Sequence, residues 1–112
     1  MVAYQLNDDF NAEVIVIEDE GTGDTIEIQR ALRFDAQDVA LGMDTYCLVR
    51  SGATHYGGIV RWVVHSHELE MELSDVAAAT LSLPTAVAIP IDALGAELLR
   101  HHLPNLCQSS RT

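Results

Sequence analysis

The chain has 112 residues, 48% of them hydrophobic, and six basic residues stand against seventeen acids for a formal net charge of −11. The length fits one domain and the apolar share supplies one packed core, which excludes a disordered chain. The acidity argues against binding to nucleic acid or to an anionic membrane surface, since both need Lys and Arg to neutralise phosphates.

Residues 12–18, AEVIVIE, are a β-branched run of strand type, and the EDEGTGD that follows is an acidic, Gly-rich turn. Alternation resumes from Thr25 through Ile26 and Ile28 toward Leu32, so the two runs read as a hairpin around Gly21 to Gly23. Residues 35–42, DAQDVALG, place Asp35 as N-cap, Asp38 in the first turn and Gly42 at the stop of a helix of one or two turns. TYCLVR at 45–50 is another strand, closed by the SGAT turn.

The stretch from Tyr56 to Leu73, YGGIVRWVVHSHELEMEL, predicts a hairpin that reverses at Ser66-His67. That reversal pairs Val60 with Leu73, Trp62 with Met71 and Val64 with Leu69 on an apolar face. Arg61 then faces Glu72, Val63 faces Glu70 and His65 faces Glu68 on the other. A slip of one residue would set Trp62 and Val64 against the glutamates. The pair Gly57-Gly58 at its entrance lacks the Lys and Ser/Thr of a phosphate loop and reads as a bulge or a positive-φ turn.

Ser74 is an N-cap for a short helix over DVAAATL, which Pro84 stops. In TAVAIPI, Val87, Ile89 and Ile91 share a face, and Pro90 suits an edge strand or a strand end. Asp92 caps a last helix whose stripe of Leu94, Leu98 and Leu99 ends near Pro104. The sum is an α+β fold with a largely antiparallel sheet of about six strands and two or three short helices. It forms one domain over 1–104, with a frayed tail at 105–112.

Charge is uneven along the chain. Residues 1–44 hold eleven acids and two arginines, a balance of −9, and the remainder carries −2. Concentrated negative charge speeds encounter with a cationic partner, which makes the turn residues Glu18, Asp19, Glu20 and Asp24 one candidate contact surface. Glu68, Glu70 and Glu72, in a row along one strand face, are the other. A solvated turn and a solvated strand face explain the same letters.

No residue constellation reads as an active site, and no cofactor or metal is expected. His65 and His67, with Glu68 adjacent and His55 near in sequence, are the strongest metal candidates, but spacing guarantees only a pair of ligands. His101-His102 suit the free carbonyls at a helix C-terminus. Cys47 and Cys107 fit no zinc or redox spacing and are expected as reduced thiols, Cys47 half buried in a strand. The N-terminus shows no basic-then-apolar signal, and no apolar run would span a bilayer, so a cytoplasmic protein is expected.

The blocks IQRALRFDAQDVALGMDTYCL (28–48), SGATHYGGIVRWVV (51–64) and LEMELSDVAAATLSLP (69–84) are similar to the immunity protein 10 family, small bacterial proteins encoded beside polymorphic toxins. The resemblance runs from about residue 12 to 103, and its most specific parts are Ala40 to Cys47 and His55 to Trp62. No catalytic motif comes with it. Tyr46, Tyr56, Gly57, Gly58 and Trp62 match as fold determinants as readily as anything else. The resemblance implies a non-enzymatic antitoxin that binds and neutralises a cognate protein toxin, and a basic toxin would suit an acidic inhibitor. Two other readings stand beside it. One is a structural or regulatory module that self-associates through a free sheet edge, for instance as a homodimer. The other is a metal-dependent enzyme built on His55, His65, His67 and Glu68.

Overall fold

Within each of two sheets, consecutive strands pair antiparallel and form a meander. The computed structural model describes all residues except Phe10, Met43 and 108–112, so most of the tail expected at 105–112 lies outside the described residues. The larger sheet takes β1 (Val2–Asn7), β2 (Ala12–Glu18), β3 (Thr25–Ala31), β4 (Cys47–Arg50) and β5 (Ala53–Tyr56) in that order. The smaller takes β6 (Ile59–Val64), β7 (Glu68–Leu73) and β8 (Ala86–Pro90). Three helices complete it: α1 (Ala36–Ala40), α2 (Asp75–Leu81) and α3 (Ala93–Leu106). The expected antiparallel α+β class holds, with eight strands divided between two sheets.

The β2–β3 hairpin has the predicted turn. Ile15 faces Ile28 and Ile17 faces Ile26, and the Asp19 carbonyl accepts the N–H groups of Thr22 (3.2 Å) and Gly23 (2.7 Å) at its tip. β1 adds to β2 along its whole length, setting Val2 against Ile17 and Tyr4 against Ile15. α1 is closed by a capping box: Asp35 accepts from the Asp38 N–H (2.8 Å) and Asp38 accepts from the Asp35 N–H (3.0 Å).

The β6–β7 hairpin pairs Trp62 with Met71, Val64 with Leu69, Arg61 with Glu72 and Val63 with Glu70, as the alternation predicts. Beyond Arg61 the register shifts, and Ile59 rather than Val60 stands opposite Leu73. The cause is the junction between the sheets. Gly57 and Gly58 both take positive φ, +71° and +103°, and a Cβ on Gly58 would sit 2.5 Å from that of Ala77 in α2. The chain passes this close to α2 only without a side chain. Tyr46, itself buried, holds the same spot: its carbonyl accepts the Gly57 N–H (2.9 Å) and its hydroxyl accepts the Ile59 N–H (2.9 Å). Val60 is the extra residue of a bulge and is 63% exposed, which lets Ile59 pack on the core.

One apolar cluster joins both sheets. Ile15, Ile17, Ile26, Ile28 and Leu48 come from the larger, and Leu69, Met71, Leu73 and Ile89 from the smaller. α2 adds Ala77, Ala78 and Leu81, and α3 adds Ala96, Leu99, Leu103 and Leu106. The α3 stripe differs from the expected one, because Leu94 is exposed while Gly95 backs onto Val2 of β1. That close approach rotates the helix so that residues 96, 99, 103 and 106 face inward. α3 also continues past Pro104 to Leu106. In the last turn proline removes one backbone bond, and burying Leu103 and Leu106 completely, each worth roughly 2 kcal/mol, offsets the loss. The carbonyl of Asn105 is met by the Arg30 guanidinium, not by the histidines. His102 instead stacks on Tyr4, with ring centroids 3.5 Å apart.

Candidate binding surface

β7 alternates Leu69, Met71 and Leu73 into the core with Glu68, Glu70 and Glu72 on the opposite face, the period-two consequence of a strand with one side buried. Among the described residues no helix or strand covers that outer face, where Glu70 and Glu72 are exposed. β6 contributes Arg61 and Val63 to one side of the row, and β8 contributes Ala86, Ala88 and Pro90 to the other, opposite Glu72, Glu70 and Glu68. The result is a shallow depression of about 390 Å³ whose lining includes Arg61, Val63, Glu70, Glu72, Ala86 and Ala88.

The partners facing the row are few and exposed. Arg61 Nε lies 3.8 Å from Glu72 Oε2, and His65 Nε2 lies 3.1 Å from Glu70 Oε1. Pairs this open to water hold little energy and separate readily for a partner. His65, Glu68 and Glu70 bring one ligand atom each within 4.8 Å of one another, two carboxylates and an imidazole that chemically suit a borderline divalent cation. Of the four sequence candidates only His65 and Glu68 meet there. His55 instead sits at the glycine junction, with Nδ1 3.2 Å from the Gly57 carbonyl oxygen, and His67 lies elsewhere.

The other acidic group is used differently. Asp24 takes both the Arg50 Nε (3.1 and 3.0 Å) and Nη2 (3.0 Å), while Nη1 of the same guanidinium donates to the carbonyls of Leu81 (2.8 Å) and Ser82 (3.1 Å). One arginine thus ties the β2–β3 tip to the C-terminus of α2, where a cation is favoured by the helix dipole. Asp19 accepts from the Gly21 N–H (2.9 Å) and shapes the turn. Glu18 bonds Met1 through its backbone in both directions, and Glu20 lies 3.5 Å from the Met1 ammonium. Glu20 also lines a second depression of about 330 Å³, together with His67, Ile91 and Asp92.

The −9 of the first forty-four residues is therefore not one patch. Glu13 accepts from the Tyr4 hydroxyl (2.8 Å), Asp35 and Asp38 cap α1, and Asp44 is buried. Sequence reasoning missed Arg50, whose partners lie 26 and more residues away, and no local pattern announces such a clamp. Both cysteines are poor nucleophiles here. Burial pushes the Cys107 thiol up to about 12 and raises that of Cys47, which keeps them protonated at neutral pH.

Among the described residues no helix is long and apolar enough to cross a membrane. The family model for immunity protein 10 matches residues 1–98, a span that includes all eight strands and the start of α3. No curated protein and no solved structure matches the chain.

Proposed function

The chain belongs to the immunity protein 10 family, and from that premise we propose that it binds and neutralises a cognate protein toxin by direct contact through the acidic outer face of β6–β7–β8. The observation that carries the surface assignment is the row of Glu68, Glu70 and Glu72, projected outward by a strand whose alternate residues are core. Such a row complements a cationic partner, speeds the encounter and suppresses like-charged competitors. A basic toxin is the partner this chemistry fits. Glu20 stays beside the Met1 ammonium, while Asp24, Asp19 and the Glu18 backbone hold the hairpin tip. Neutralisation by occupancy needs no catalytic group and proceeds in the cytoplasm of the cell that makes both proteins.

Co-expression tests this directly. The C-terminal domain encoded by the neighbouring toxin gene, expressed with this chain, should leave cells growing and should co-purify with it in equimolar amounts. Titrated against the toxin's own activity, inhibition should be complete at equivalence. Inhibition at a small fraction of equivalence would mark a catalytic antitoxin instead, and unprotected cells would remove the reading.

A further inference from the structure

β8 is an edge of the smaller sheet, and its backbone is half used. The Leu73 N–H donates to the Thr85 carbonyl (2.7 Å) and the Ile91 N–H to the His67 carbonyl (3.0 Å), which fixes the alternation of the β7–β8 ladder. Thr85, Val87, Ile89 and Ile91 turn their backbone groups toward β7, and Ala86, Ala88 and Pro90 turn theirs to the open side. The edge therefore presents two N–H donors, from Ala86 and Ala88, and three carbonyls. The other strands at a sheet edge are β1, β5 and β6. β1 lies against α3 and β5 against α2, while β6 carries the Val60 bulge and receives Arg100 Nη2 at its Val64 carbonyl (3.5 Å). A neighbouring helix and a bulge both hinder strand addition, and among the described residues β8 carries no bulge and packs against no helix to the extent that β1 and β5 do, with only Pro90 at one end.

We propose that the β8 edge is where the toxin adds an extended strand, and that this strand carries arginine or lysine at the alternate positions facing Glu70 and Glu72. The proposal rests on the immunity reading above and specifies its geometry. An added strand would lie about 4.8 Å beyond β8 and roughly 10 Å from β7. Only the methyl groups of exposed Ala86 and Ala88 stand between, so a long cationic side chain lies across them and reaches the carboxylates in the depression. Main-chain bonds then supply affinity and the glutamate row supplies selectivity. A second copy of this chain fits less well, since pairing β8 with β8 puts two glutamate rows on one face of a continuous sheet.

The test is amide hydrogen exchange on the full chain, alone and with the C-terminal domain encoded by the neighbouring toxin gene. Exchange at Ala86 and Ala88 is expected to slow by about tenfold or more on complex formation. Ala88→Pro deletes one donor at an edge position that accepts proline, and is expected to weaken binding about tenfold. Glu70→Gln with Glu72→Gln should flatten the salt dependence. A complex that leaves both amides unprotected overturns the edge and leaves neutralisation standing. No complex at all removes both. Protection at the same amides in the chain alone, with a dimer in sedimentation, overturns the cationic partner in favour of a second copy.

Discussion

The two sheets carry acidic residues in opposite ways. In the five-stranded sheet two carboxylates of the β2–β3 tip serve as structural ties, Asp24 to Arg50 and Asp19 to the turn, and the outer strands pack beside α2 and α3. In the three-stranded sheet Glu68, Glu70 and Glu72 face outward beside an uncovered edge, answered by one exposed arginine and one histidine. Charge crowded in sequence is thus scattered in space, and the segment with the smaller net charge presents the more continuous acidic face.

Variants in the first sheet and the junction should therefore cost stability, and variants in the glutamate row should cost binding. The largest effect is expected from Gly58→Ala, which sets a Cβ at positive φ and 2.5 Å from Ala77. Unfolding in urea should show a loss of about 3 kcal/mol or more. Arg50→Ala releases Asp24 and two carbonyls at the end of α2, and the same measurement should register about 2 kcal/mol. Tyr46→Phe orphans the Ile59 N–H at the sheet junction and should cost about 1 kcal/mol. Glu70→Gln with Glu72→Gln should move stability by less than about 0.5 kcal/mol, because the pairs it removes are exposed. A large loss in this last variant would mean that the row is structural and that the contrast between the sheets fails.

Much of this was legible in the sequence where periodicity is strong. The β2–β3 hairpin, the central register of β6–β7, the three N-caps Asp35, Ser74 and Asp92, and the edge position of β8 follow from alternation, capping chemistry and Pro90. β1 was missed although Val2, Tyr4 and Leu6 alternate, since a short strand half open to solvent leaves a weak pattern. β5 is four residues long and leaves even less. The division into two sheets turns on Gly58 meeting Ala77, a contact nineteen residues away that a glycine pair does not announce. The glutamate row was readable as a row because strand residues two apart share a face. Its freedom, and the withdrawal of Asp24, depended on which arginine folding brings to which carboxylate.

The most direct test of this division is the affinity for the proposed toxin partner across a salt series, for the wild-type chain, for Glu70→Lys with Glu72→Lys, and for Glu20→Lys. Reversal in the row should weaken binding by roughly tenfold to a hundredfold and abolish most of the salt slope, and reversal at the tip should change both only slightly. The opposite pattern, with the row variant binding like wild type and the tip variant failing, would contradict the account.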